Sequence, residues 1–504
     1  MRVMPYTESL PYALYRAEQV REFDRIAIQE YAIPGAELMQ RAGSRAFQLL
    51  RELWPQAVHI HVICGVGNNG GDGYVVARLA KQAGLQVRVF LLGDPAKIQG
   101  DALTMAQAWR KQGGEISPFD ELPNNCDLIV DAILGTGLER EVTGAWADAI
   151  QVINRHPAPV LAIDIPSGLN SDTGREMGSA IQADATLSFI GLKQGMFTGQ
   201  GPDCCGEIHF DALELPARIY ARQFLSARRI DWMKLSSLIP ARQRSAHKGD
   251  FGHVLVIGGD RGFSGAARLA AEAAARCGAG LVSVATHPEH AAHLNLGRPE
   301  LMCRGVLDSG DLSPLLSRAS VIAIGPGLGQ GEWGRDLFSA AMQAGLPMVV
   351  DADALNLLSE APVRQKWVLT PHPGEAARLL GVVNRSIQAD RFRALEQLQS
   401  RFGGVVVLKG AGTLIGDGSS HPPSICSGGN PGMATGGSGD LLTGIIASMI
   451  AQGFDLREAA ELGVALHAAA GDRVAMQGEI GMLAGDLLAS FRGLLNRSQS
   501  DVDD

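Results

Sequence analysis

Short apolar runs recur along this chain, several of them closing on glycine or an acid and most handing over to a helical pattern. In the first half they fall at 58–64, 86–92, 128–133 and 160–163. In the second half they fall at 253–257, 281–285, 321–324, 348–350, 367–369 and 405–408. Runs this short, separated by helical segments, predict parallel strands buried on both faces, so the fold class is α/β. Helical spacing predicts two helices within 14–53, broken at Ile33-Pro34-Gly35, then helices at 74–82, 266–277 and 336–344 and one long helix at 387–401. The arginine-rich stretch 218–244 carries no strand pattern and reads as a connection. With 504 residues the chain should hold at least two domains, and the boundary is placed near 225, giving 1–225 and 226–504.

Charge and cysteine content narrow the function. The net charge is −9, from 44 basic and 53 acidic residues without a long basic run, which argues against a nucleic-acid surface. Seven scattered cysteines without a CxxC spacing predict a reducing compartment and no zinc site. Residues 1–25 lack an apolar core ahead of their charges, so no signal peptide is expected, and no uncharged apolar stretch reaches 18 residues. These features predict a cytoplasmic protein with no membrane partner.

The stretch 427–444, SGGNPGMATGGSGDLLTG, is glycine-rich up to one acid, Asp440, and then runs into an apolar helix. Glycines let backbone N–H groups approach an anion, and the helix N-terminus adds partial positive charge. A carboxylate placed there makes sense as a base that strips a hydroxyl proton while the amides hold the phosphoryl group in transfer. Lys409-Gly410-Ala411-Gly412-Thr413 closes a strand with a cation and flexible backbone, either a wall for phosphates or a plain hairpin turn. His372 stands between two prolines that restrict its backbone. Asp351 and Asp353 end another strand, and read equally as magnesium holders or as a cap for a helix at 354–358. In the first half, three strand ends carry oxygen-rich loops: Asn68-Asn69-Gly70-Gly71-Asp72, then Asp131 through Gly137, then Asp164 through Gly168. Parallel α/β strands bring such ends to one crevice, and Asn, Asp and Ser suit a hard cation rather than zinc.

These motifs resemble those of known families. GPGLG at 325–329, TPHPGE at 370–375, KGAGT at 409–413 and GNPGMATGGSGD at 429–440 resemble the ADP- or ATP-dependent NAD(P)H-hydrate dehydratases, which have a ribokinase-like fold. NNGGDG at 68–73, VDAILGTG at 130–137 and DIPSG at 164–168 resemble the NAD(P)H-hydrate epimerases, which have a Rossmann-like three-layer fold. Their order on one chain is similar to that of bacterial bifunctional hydrate repair enzymes. The resemblance implies that the first domain interconverts the R and S hydrates of NADH and NADPH at C6. The second would dehydrate the S form with ADP, through a phosphorylated intermediate, giving AMP and phosphate. It puts Lys409, Gly410, Ala411, Gly412, Thr413 and Gly439 on the nucleotide, with Mg²⁺ on the phosphates. Ala266, Gly327, His372 and Asp440 would contact the hydrate, Asp440 as catalytic base. In the first domain it puts K⁺ on Asn69, Asp131 and Ser167. There the hydrate would lie on Asn68, Asn69, Gly70, Gly71, Asp72, Gly135, Thr136, Gly137, Leu138, Glu139, Arg140, Glu141 and Asp164, with Asp164 as catalytic acid/base. The expected partners are small molecules, the hydrates and ADP, in a homo-oligomer.

Overall fold

The chain opens on a short strand, β1 (Ala13–Tyr15), and two amphipathic helices, α1 (Ala17–Gln29) and α2 (Gly35–Leu53). Their apolar faces, including Val20, Phe23, Leu38, Ala42 and Leu49, are buried. In the computed structural model, which describes residues 10–360 and 363–496, two units meet after Arg228. Residues 1–9, part of the segment read as no signal peptide, lie outside the described residues. Among the described residues no helix is long and apolar enough to cross a membrane.

The first unit continues through β2 (His59–Cys64), α3 (Asn68–Gln82), β3 (Gln86–Leu91), β4 (Ile116–Pro118), β5 (Leu128–Ala132), β6 (Val160–Ile163), β7 (Ala185–Phe189), β8 (Leu192–Lys193) and β9 (Glu207–Asp211). Seven of these strands form one parallel sheet, in the order β4-β3-β2-β5-β6-β7-β9. Two corrections to the sequence reading arise here. The glycines at 70, 71 and 73 belong to a helix, because α3 starts at Asn68 rather than near 74. None of them has positive φ; a Cβ at Gly70 would stand 2.1 Å from Gly65 O, one at Gly73 2.7 Å from Ala132 Cβ and one at Gly71 2.4 Å from Met39 Sδ on α2, so their role is close approach of this helix to the sheet and to its neighbouring helices. The stretch 218–244 also contains a strand, β10 (Ala227–Ile230), which pairs antiparallel with β1. Two arginines among its four residues hide the apolar signal.

The second unit runs β11 (His253–Ile257), α4 (Ser264–Arg276), β12 (Leu281–Thr286), β13 (Met302–Gly305), β14 (Val321–Ile324), β15 (Met348–Val350), α5 (Ala352–Asn356), β16 (Trp367–Leu369) and α6 (Pro373–Leu380). It closes with α7 (Asn384–Ala389), α8 (Arg391–Phe402), β17 (Val405–Leu408), β18 (Thr413–Gly416), β19 (Ser424–Cys426), α9 (Ser438–Ala451), α10 (Leu456–Ala475) and α11 (Ala484–Leu495). The long helix expected over 387–401 is thus two helices. Asp390 breaks it, leaving helical φ and ψ and accepting the Arg393 N–H at 2.9 Å as the cap of α8. The sheet order is β13-β12-β11-β14-β15-β16-β17-β18-β19, parallel through β17 and antiparallel beyond. α9 is the central helix of this unit. Every residue from Leu441 to Met449 is buried, so the acid one position before that run has to lie at the rim of the core.

Candidate active sites

In the first unit the strand order reverses between β2 and β5, so connections leaving their carboxyl ends diverge and open a crevice. Asp131 on β5 has no exposed surface. Ser167, equally buried, places Oγ 2.6 Å from Asp131 Oδ1 and donates its N–H to Oδ2 at 2.8 Å. Burial pushes the Asp131 carboxyl up to about 6 in spite of these bonds. Asn69, in the first turn of α3, stands against Gly135, where a Cβ would lie 3.5 Å from its own. Both polar atoms of the Asn69 amide are buried without a hydrogen-bond partner.

Asp164, just past β6, has φ of +68°, in the left-handed region that few non-glycine residues enter and aspartate tolerates better than most. Its Oδ1 meets the Lys193 ammonium and accepts the Phe189 N–H at 3.2 Å. Two more acids feel this pair. Asp24 on α1 is pushed up to about 6 by burial and by Asp164, and Asp72 rises well above the carboxylate range by burial, Asp164 and Asp24. The 135–141 side chains are less gathered. Asn68, Gly137, Glu139 and Arg140 are exposed, Thr136 is half-buried, Leu138 packs on the apolar cluster around Ile133, and Glu141 pairs with Arg175.

In the second unit the order reverses between β11 and β14. Gly327, with φ of +59°, sits there so close to α4 that a Cβ would lie 2.7 Å from Phe263 Cβ and 3.4 Å from Ala266 Cβ. At the start of α9, Gly437 turns the chain with φ of +91° and Asp440 occupies the first helical turn. A Cβ at Gly439 would lie 3.2 Å from Lys409 Nζ and 3.6 Å from Asp351 Oδ2. Asp351 therefore does not cap α5. Its carboxylate accepts from Lys409 Nζ at 2.8 Å and from Thr443 Oγ1 on α9 at 2.8 Å. Asp353 accepts the Gly329 N–H at 2.9 Å. Burial, Asp351 and Asp353 push Asp440 up to about 6, against the opposing pull of Lys409.

His372 caps α6: its Nδ1 accepts the Gly374 and Glu375 N–H groups at 3.0 and 3.3 Å, and Glu375 Oε2 accepts the His372 N–H at 2.8 Å. Nδ1 is thus unprotonated, and burial with Lys409 nearby keeps the ring's pKa below its ordinary value. Burial and Asp351 push the Glu375 carboxyl up to about 7, Lys409 again opposing. Residues 409–413 form a hairpin turn between β17 and β18. Its carbonyls at Leu408, Lys409 and Gly412 accept from Arg391 Nη2 at 3.1, 3.2 and 3.4 Å.

A family model described as NAD(P)H-hydrate dehydratase matches residues 254–492, and one described as YjeF-related protein N-terminus matches residues 35–195. The bifunctional NAD(P)H-hydrate repair enzyme Nnr of Coxiella burnetii is 49% identical over 486 residues, covering 96% of this chain and 99% of its own. The chain belongs to the bifunctional NAD(P)H-hydrate repair enzyme family. The Escherichia coli member is 44% identical over 98% of this chain and 96% of its own. A ribokinase-like superfamily protein of Enterococcus faecalis (EF1790) is 30% identical with a TM-score of 0.50, covering 54% of this chain and 96% of that one. The second unit is accordingly ribokinase-like.

Within this family frame, the structure adds residues to which the sequence motifs assigned no role. Glu375 and Thr443 join Lys409, Asp440 and the already singled-out Asp351, while Asp24 and Lys193 join Asp164. Lys193 left one trace, a single cation inside the apolar run LSFIGLKQGMF. Arg391 left none, since an arginine at a helix start is ordinary.

Proposed function

We propose that the first unit interconverts the R and S epimers at C6 of hydrated NADH and NADPH. The second dehydrates the S hydrate at the expense of ADP, releasing AMP and phosphate. The observation that carries this reading is Asp440, an acid with a raised pKa at the N-terminus of a buried helix, beside the Lys409 ammonium. Hydroxide leaves carbon poorly and phosphate leaves well. Asp440 takes the C6 hydroxyl proton, and the oxygen attacks the terminal phosphorus of ADP as AMP departs. The ring nitrogen's lone pair then expels phosphate, and loss of a proton from C5 restores the dihydropyridine. The N–H groups of 436–439 and Lys409 stabilise charge on the phosphoryl group in flight.

On this reading Lys409, Gly410, Ala411, Gly412, Thr413 and Gly439 hold the nucleotide, and Ala266, Gly327 and His372 hold the hydrate. Among the described residues no group of three His, Cys, Asp or Glu side chains is set to hold a metal. That suits Mg²⁺, which is bound largely through substrate phosphates with one or two carboxylates. In the first unit Asn69, Asp131 and Ser167 fit K⁺, because the orphaned amide and the buried carboxylate of Asp131 both call for a cation. There K⁺ supplies charge balance and a fixed point for the hydrate, which extends over Asn68 to Asp72 and Gly135 to Glu141 toward Asp164. Seven unpaired cysteines support a cytoplasmic setting. The exposed Met476, Ile480 and Leu483 support a homo-oligomer, which light scattering of the intact chain decides.

The test mixes hydrated NADH, ADP and the intact chain. Return of the reduced-nicotinamide absorbance supports repair; an accumulating phosphorylated product makes the second unit a kinase instead. The Arg391→Met variant probes the nucleotide wall, since it strips the donor from three carbonyls of the 408–412 turn. The KM for ADP should rise about tenfold, the effect of roughly 1.4 kcal/mol, with kcat within about threefold. An unchanged KM removes the hairpin from the nucleotide site.

A further inference from the structure

We propose that Lys193 is the positioning residue that fixes Asp164 as the carboxylate base of the first unit, a proposal that rests on the role just given to Asp164. Lys193 has no exposed surface, so it cannot itself reach a substrate in the crevice. Its ammonium has three donors, and three acceptors surround it: Asp164 Oδ1, Ser188 Oγ at 3.0 Å and Phe189 O at 3.1 Å. Both protein contacts to the Asp164 carboxylate fall on Oδ1. Asp164 keeps 19% side-chain exposure, which leaves Oδ2 for the crevice.

The backbone on both sides is held in costly conformations to make this contact. Among the described residues six non-glycine positions have positive φ, and two of them belong here: Asp164 at +68° and Ile190 at +64°. For a β-branched residue such as Ile190 this is a true outlier. Its conformation is enforced by Ile190 N–H donating to Asp211 O at 2.9 Å and Tyr220 Oη donating to Ile190 O at 2.7 Å. The kink redirects the chain from β7 into β8, whose parallel pairing with β1 sets Tyr15 against Lys193. A turn that needed only to connect two strands would not require an isoleucine in that conformation.

The charges around the pair explain why a cation is needed. Asp24 from α1 and Asp72 from α3 face Asp164, Lys193 lowers the pKa of both, and the nearby Cys64 thiol and Tyr220 phenol carry no charge at neutral pH. Three carboxyls therefore share one ammonium. Without it, the three carboxyls would face one another with no countercharge between them. A base is what ring opening requires. Asp164 removes the C6 hydroxyl proton, the C6–O bond becomes a carbonyl as C6–N1 breaks, and the electron pair passes to N1 and its conjugated carboxamide. After rotation N1 re-adds to the other face of the carbonyl and Asp164 returns the proton, with nothing oxidised or consumed.

The test follows R-to-S conversion by the intact chain without ADP from pH 5 to 9, comparing Lys193→Met and Lys193→Arg with the parent. Lys193→Met should move the acid limb of the kcat profile up by more than about one pH unit, so that the loss is at least about tenfold at neutral pH and shrinks as pH rises. Lys193→Arg, which keeps the charge, should hold the limb near its original place, and the KM for the hydrate should stay within about twofold in both. Circular dichroism and thermal unfolding of each variant, read beside the KM for the hydrate, report whether the first unit is folded. A Lys193→Met loss that is uniform with pH overturns the proposal, as does an unshifted profile. If Lys193→Met does not fold, a limb displaced in Lys193→Arg overturns it and a retained limb supports it. Asp164→Asn separates the two readings, for if it epimerises like the parent then Asp164 is not the base, whatever Lys193 does.

Discussion

Asp440→Asn should lower the dehydratase kcat by about 10³-fold, roughly 4 kcal/mol in the barrier, and leave R-to-S epimerisation untouched. The substitution keeps the shape of the side chain and removes only its ability to accept a proton. Its effect on stability has the opposite sign to its effect on activity. The folded Asp440 carboxyl titrates at about 6, above its ordinary value, so the folded state binds that proton more tightly than the unfolded chain does. Between roughly pH 4 and 6 this group makes stability fall as pH rises, and at neutral pH the ionised form costs on the order of 3 kcal/mol. Asparagine carries no such cost. Thermal unfolding of the variant at pH 7 should therefore shift upward, or at least not downward, while turnover collapses. Loss of both activities together would mean that the two units do not work independently, and a retained kcat would remove Asp440 from the chemistry.

The second large effect is expected at Lys409. Its ammonium sits between Asp351 Oδ1 at 2.8 Å and Glu375 Oε2 at 4.0 Å. Burial alone would lower its pKa, but Asp351 and Glu375 outweigh burial and raise it, so the cation is charged throughout the working range. In the parent enzyme dehydration should fall off below about pH 6, as Asp440 takes up its proton. Lys409→Met removes the cation that opposes the rise at Asp440, so this limb should move up, by about one to three pH units for loss of an adjacent opposite charge. At pH 7 titration alone accounts for a loss of roughly tenfold. Loss of the cation from the phosphoryl group adds about 10²-fold, which does not depend on pH. The pH–rate profile of the variant should thus recover only the smaller factor by pH 9. Full recovery at high pH would show that Lys409 sets the base and does nothing for the phosphate; an unmoved limb would show the reverse.

The parts of this protein legible in its sequence are those governed by local rules. Strand runs such as 253–257 and 321–324 are set by continuous burial, and the helix after Gly437 is set by an apolar run bounded by glycine, so both could be placed without a structure. Asp440, Lys409 and Asp164 could be singled out because each ends or begins such an element. Local rules failed where one residue served two purposes. The glycines of 70–73 looked like a loop because glycine is poor in helices, but here they let α3 lie against β2. Asp351 read equally as a magnesium holder or a cap, but its carboxylate is claimed by Lys409, 58 positions along the chain, and by Thr443, 92 positions along. Lys193 and Arg391 read as ordinary basic residues until the fold buried them.

The strand segments, the parallel α/β class and the amides at the start of α9 follow from hydrophobic period and glycine placement, which the chain carries locally, whereas the order of strands and the reversal points between β2 and β5 and between β11 and β14 came only with the structure. Which carboxylate faces which ammonium is likewise not local, because a charge's partner and its pKa depend on what water has been excluded and which distant strand end has been brought within a few ångströms. Sequence alone therefore determined the fold class and the chemical parts at many of the strand ends. The tertiary structure decided which of those parts stand together, and so which acid keeps its proton and which gives it up.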